Sequence, residues 1–176
     1  MVHTIRMSIR EELIGDLRAE AANTDRVLEA VPGDRLAWRP HEKSLTLAEL
    51  AGHLAELPGW VQAMMQDDLD FATITDYTPF IPAGRAELLE TFRRNVAELE
   101  RTLAAKDDAF LSARFTMRNG RTLLMQLPRH AALRTLAIHH AIHHRGQLTV
   151  YLRLLGCPVP QTYGPTADNP GWVRIV

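Results

Sequence analysis

The sequence predicts an all-α fold: a four-helix bundle with a long crossover between helices two and three and a small β-hairpin before helix four. Three observations point to it. Four segments carry apolar residues at the three-and-four spacing of a helix, a Pro-containing stretch without period separates the second from the third, and Asn119-Gly120 lies between two short β-favouring runs. The 176 residues suit one domain spanning 1–176, long enough to bury roughly 70% of the surface of the unfolded chain.

The first helix runs from Ser8 to about Ala30, with Ile9, Leu13, Leu17, Ala21, Val27 and Leu28 at helical spacing and Glu11 and Glu12 in the first turn, where the helix dipole favours them. Val31-Pro32-Gly33-Asp34 stops it. The second begins near Thr46, which with Glu49 forms a capping-box pattern, and carries Leu47, Leu50, Leu54, Leu57, Val61, Met64 and Met65 on one face. Pro58-Gly59 within that face predicts a kink or break. Residues 66–83, with Pro79 and Pro82, read as a crossover that carries the chain back along the bundle. The third helix covers Arg85 to Ala105, with Leu88, Leu89, Phe92, Val96, Leu99 and Leu103 inward. Asn119-Gly120 favours a type I′ turn joining Phe115–Arg118 to Arg121–Leu124. Pro128 opens the fourth helix, which reaches Leu155 before Gly156 and Pro158, and an irregular tail follows.

Composition excludes several classes of function. The 20 basic and 21 acidic side chains nearly cancel, and no basic block exists, so nothing supplies the charge surplus of a non-specific nucleic-acid binder. One cysteine, Cys157, cannot build a disulfide framework and reads as a packing residue. No run of roughly 18 uncharged apolar residues exists for a membrane span, and Met1–Met7 lacks the apolar core of a signal peptide, so a cytoplasmic location and no membrane partner are expected.

The informative feature is His139-His140-Ala141-Ile142-His143-His144 in helix four. Imidazoles four residues apart project side by side and can share one metal ion, and the run offers two such pairs. At about 100° per residue, Leu133, Ala137, His140, His144, Leu148, Tyr151 and Leu155 share one inward stripe, whereas His139 and His143 fall on its flank. Two imidazoles in an apolar stripe are costly to desolvate unless their nitrogens are satisfied, and a shared cation satisfies both. A hydrogen-bonded pair in the core is the plainer alternative. Ala141 stands where a zinc protease motif needs its glutamate, which removes that chemistry.

Two ligands rarely suffice, and His53, beside the stripe of helix two, is the obvious third; His3, His41 and His130 are poorly placed. Glu56, one turn on, has several roles open to it: fourth ligand, partner orienting a ligand, general base, or an ordinary solvated glutamate. Arg145 and Gln147 read mainly as structural; the alternatives are an anion contact for Arg145 and, for Gln147 back on the inward stripe, a hydrogen bond to a ligand-bearing helix. Trp38, Trp60, Phe92 and Tyr151 read as core or interface aromatics, and Tyr163 and Asp168 as surface-covering tail residues that could also reach the open end of the site.

The segment His139–Leu148, continuing through Tyr151–Pro160 to Tyr163-Gly164-Pro165, resembles the fourth-helix signature of the DinB-like (YfiT-like) metalloenzymes, and Leu45–Glu56 resembles the family's second-helix motif. The resemblance covers nearly the whole chain. It implies a four-helix bundle with a crossover, a divalent ion, zinc or nickel foremost, on His53, His140 and His144, and frequent dimers. It further implies a small-molecule substrate and, in some members, a low-molecular-weight thiol cosubstrate. On these expectations the chain is a metal-dependent enzyme, with thiol transfer first and metal-assisted hydrolysis second; a non-catalytic metal-binding or stress-response bundle is the remaining reading.

Overall fold

The structure, a computed structural model, describes residues 7–172. It is mostly helical with a small sheet, in the order α1 (Ile9–Glu29), α2 (Leu47–Glu56), β1 (Asp68–Asp70), α3 (Arg85–Ala104), α4 (Asp108–Ser112), β2 (Arg114–Asn119), β3 (Thr122–Pro128), α5 (Arg129–Leu133) and α6 (His140–Leu154). Helix α1 packs on α3 and α6, and α2 packs on the same two.

Local chemistry sets the helix ends. Ser8 and Thr46 cap α1 and α2 through reciprocal capping boxes with Glu11 and Glu49. Asp108 adds a long-range cap, accepting the Ile9 and Arg10 N–H groups at 3.1 Å each. The α-helical part of the second segment ends at Glu56, and Leu57–Met65 continue as a 3₁₀ helix. The break comes where the sequence places it, because Pro58 has no N–H to continue the ladder. The Asn95 side-chain amide from α3 donates 3.0 Å to the Ala55 carbonyl at that end, while Val61 and Met64 keep their places in the core.

The fourth segment is continuous from Arg129 to Leu154, but Arg134–His139 form a π-helical turn between α5 and α6. The Thr135 hydroxyl donates to the Ala131 carbonyl within it, competing for a helix acceptor. Gly156, at φ 72°, ends α6 in the left-handed conformation that closes many helices.

The hairpin forms, with two corrections. Its loop is Gly120-Arg121, flanked by the pair Asn119 and Thr122, and Gly120 alone has a positive φ, 57°; a type I′ turn needs positive φ at both central residues, so the turn is of another type. The register puts Asn119 in the strand and the glycine first in the loop. Secondly, the stretch read as a bare connector supplies β1, which pairs in parallel with β2 and makes a sheet of order β1-β2-β3. No hydrophobic period announces a three-residue strand; polar contacts hold it. Asp70 accepts the Gly120 N–H at 2.8 Å, and Arg118 bridges Asp68 and Asp70.

Two apolar clusters make the core. One joins Leu50 and Leu54 of α2 to Phe92 of α3 and Leu148 and Leu152 of α6. The other joins Leu13, Leu17, Leu99, Leu103, Leu133 and Phe115 toward the sheet. At Gly52 the crossover runs against α2 so closely that a Cβ would lie 2.2 Å from the Phe80 carbonyl oxygen.

Candidate metal centre

Helix α2 presents His53, and the first two turns of α6 present His140 and His144. One ligating atom from each of the three lies within 4.8 Å of the others, all half-buried. The inward stripe read from the sequence holds here: Leu133, Ala137 and Leu148 are buried, His140 and His144 half-buried, and His139 and His143 exposed.

Each imidazole has a partner that orients it. The Nδ1 of His144 pairs with Gln147 Oε1 at 2.8 Å, that of His53 with Glu56 Oε1 at 3.4 Å, and His140 is bonded to the backbone of Leu136. Partners at Nδ1 turn Nε2 toward the centre, the usual arrangement of metal-ligating histidines. There Nε2 of His140 and Nε2 of His144 stand 2.8 Å apart. Two unprotonated nitrogens at that distance repel, so the pair needs a shared proton or a cation. Tetrahedral zinc would set such nitrogens about 3.3 Å apart, a small outward adjustment.

Burial, followed by the neighbouring His53, pushes the His140 imidazole below its ordinary value. Burial also lowers His144, to about 4, with His140 and His53 adding to the shift and the Gln147 bond opposing it. Both rings are therefore neutral at pH 7, the form that binds a metal. A donor set of three imidazoles, oriented and converging, fits a divalent transition-metal cation.

Glu56 ties the crossover to this centre. Its Oε1 accepts the Tyr77 hydroxyl at 2.5 Å, and its Oε2 accepts the Phe80 N–H at 3.1 Å. Partial burial and the Glu56 carboxylate push the Tyr77 phenol above its ordinary value, so it stays a donor. Trp60 is no core aromatic: it stands edge-on to both His53 and Tyr77, at centroid distances of 5.6 and 5.5 Å. Beside it opens a cavity of about 570 Å³, with His140 in its wall.

The chain matches the sequence profile of the DinB family over residues 4–171. It belongs to the DinB family. Among solved structures it is similar to a DinB-like protein from Bacillus cereus, with a TM-score of 0.65 and 22% identity over 87% of this chain and 97% of the other. It also resembles Bacillus subtilis YfiT, a probable metal-dependent hydrolase with an unusual four-helix bundle topology, with a TM-score of 0.58 and 14% identity over 84% and 87% of the two chains. A third is the mycothiol-dependent maleylpyruvate isomerase, with a TM-score of 0.51 and 15% identity over 88% of this chain and 68% of that one.

Within this DinB-family chain the other candidate residues of the sequence fall elsewhere. His41 accepts the Lys43 N–H and His130 meets the Leu111 carbonyl, both away from the centre, and His3 lies outside the described residues. Arg145 is buried and spent on structure, donating to Glu20, Thr24 and the Tyr163 hydroxyl. Tyr163 thereby ties the tail to α1 and α6, and Asp168 ties it to Arg153 and the Val159 N–H, so neither tail residue reaches the site. Gln147 is exposed rather than inward, yet it orients His144. Cys157 packs against the first apolar cluster. Sequence reading missed Tyr77, because a lone tyrosine in an aperiodic stretch carries no signal, and it missed the wall formed by Trp60 and Leu136.

Proposed function

We propose that this protein is a metal-dependent hydrolase whose divalent ion is held by His53, His140 and His144, on a four-helix bundle of the YfiT type. The observation that carries this reading is the convergence of three imidazoles, each with an orienting partner at its rear. A divalent cation bound there supplies Lewis acidity, lowering the pKa of water toward neutrality and polarising an electrophile.

The chain's own residues do the rest. Gln147 and Glu56 hold the tautomers of His144 and His53, and the buried surroundings keep His140 and His144 unprotonated. Both oxygens of Glu56 already accept hydrogen bonds, from Tyr77 and Phe80, so we assign it a positioning role in place of general base. Water is preferred to a thiol as nucleophile because Arg145, the residue best suited to receive an anionic cosubstrate, is turned away into a buried network. Thiol transfer is the second reading, favoured by the shared fold with the mycothiol-dependent isomerase. We place the protein in the cytoplasm, where a small-molecule substrate would reach it; among the described residues no helix is long and apolar enough to cross a membrane.

The test is zinc titration of untagged protein by calorimetry, followed by a panel of activated esters and amides with and without the metal. One zinc per chain is expected. His53→Ala, His140→Ala or His144→Ala should each lose stoichiometric binding, and His139→Ala and His143→Ala should keep it. Hydrolysis should require zinc and no added thiol. Retention of full zinc affinity by all three inward variants overturns the site, and turnover only with a thiol moves the assignment to the second reading.

A further inference from the structure

The cavity beside His140 is unlike a site for a polar metabolite. It measures about 570 Å³, within the usual range for small-molecule pockets, and among the described residues no Asp, Glu, Lys or Arg side chain lines it. Its wall is made by Trp60 and Ala63 of the 3₁₀ helix, Phe71 and Tyr77 of the crossover, Met117 of β2 and Leu136 of the π-helical turn. The π turn and the strand β1 within the crossover, which no pattern in the sequence announces, thus contribute to that wall through Leu136 and Leu69.

The cavity and the histidine cluster share His140. Its ring is in the cavity wall, and its Nε2 is 2.8 Å from that of His144. Trp60 also belongs to both, edge-on to His53 while lining the cavity. A molecule seated against Trp60 and Leu136 therefore has one end at the three imidazoles and the remainder among apolar side chains. Among the described residues, the polar side-chain atoms of the lining belong to Thr75, Tyr77, His140 and the Trp60 indole, and Tyr77 gives its hydroxyl hydrogen to Glu56.

We propose that the cavity receives the apolar body, aryl or alkyl, of an uncharged substrate whose reactive polar group lies at the three-histidine centre. This rests on the metal-centre reading above and names the substrate class for it. A charged or sugar-bearing body would lose its hydration in the cavity and find no ionic partner there. An alkyl or aryl body instead gains from each buried methylene, at about fourfold in affinity per CH₂. The cavity therefore sets specificity, with Trp60, Phe71 and Leu136 as the residues that decide it.

The experiment has two arms. In the first, zinc-loaded protein is titrated with straight-chain hydroxamates from acetohydroxamate to octanohydroxamate, which share one metal-binding head. Affinity should climb two- to fourfold per methylene, reaching more than tenfold by hexanohydroxamate. Ala63→Phe, which fills the cavity, should flatten the series while leaving zinc and acetohydroxamate affinities within threefold. In the second, metal-free protein is titrated with the neutral naphthalene dye prodan, whose emission should shift to the blue with micromolar affinity in wild type and lose that affinity at least tenfold in Ala63→Phe. A flat hydroxamate series on protein that binds zinc and acetohydroxamate normally overturns the substrate class and spares the metal centre. Failure to bind zinc overturns the metal centre and with it the placing of the reactive group. Absence of prodan binding overturns the apolar cavity whatever the metal does, and that result needs no variant.

Discussion

Replacing Gly52 by alanine tests how the crossover is locked onto the site, because two rules give opposite signs for it. Gly52 lies in the interior of α2, where intrinsic propensity alone makes alanine more stable by about 1 kcal/mol. The tertiary structure reverses this. A Cβ there would stand 2.2 Å from the Phe80 carbonyl oxygen and 3.0 Å from Pro82 Cδ, and the first obstacle is backbone rather than a side-chain tip. Relieving it requires the crossover to retreat by about 1 Å, at an overpacking cost of about 1–3 kcal/mol. Phe80 also donates its N–H to Glu56 Oε2 at 3.1 Å, and a retreat of that size breaks a bond to a carboxylate, a further loss of about 1.5–3 kcal/mol. Net of the propensity gain, Gly52→Ala should lower stability by about 1.5–5 kcal/mol, or roughly 3–20 °C in Tm for a chain of this size. Differential scanning calorimetry on metal-free protein measures it. Zinc affinity should fall about tenfold in the same variant, because Glu56 holds His53. A Tm equal to or above wild type would refute the close approach of crossover and helix.

Further outcomes follow from the same geometry. Glu56→Gln should weaken zinc binding about tenfold while leaving one ion per chain, measured by competition with a chelating dye; unchanged affinity would remove Glu56 from the support of His53. Because the folded-state values of His140 and His144 lie below the ordinary imidazole value, the unfolded chain binds more protons between about pH 6.5 and pH 4. Urea stability of the metal-free protein should therefore be flat above pH 7 and fall as the pH drops through that window, and His144→Ala should flatten the fall. Arg129→Met should cost about 3 kcal/mol by urea denaturation, since the fully buried guanidinium donates to the Met64, Gln66 and Phe110 carbonyls and to Asp67; a loss under about 1 kcal/mol contradicts that accounting. We expect a homodimer, and light scattering across micromolar concentrations decides it, a constant mass near 19.8 kDa rejecting the pair.

The sequence by itself determined the four long helical segments, because their apolar residues recur at helical spacing and their starts carry caps such as Ser8 and Thr46, both local properties. It also separated His140 and His144 from His139 and His143, since the phase of a helix is set by its own rise and turn. It pointed to His53 by position on helix two, and the structure brings that residue within reach of the pair. Only the tertiary structure decided what surrounds them. The strand β1 has no periodic signal and exists through Asp70, Arg118 and Gly120, residues about fifty positions apart. Glu56 acquires its partners from Tyr77 and Phe80 only once the crossover lies against α2, and Gly52 matters for the same reason. Arg129 and Arg145, charged residues that composition assigns to the surface, are buried because backbone carbonyls and acidic partners from distant segments surround them. Spacing along a chain encodes which face of a helix a residue occupies, whereas partners contributed by other segments depend on how those segments pack.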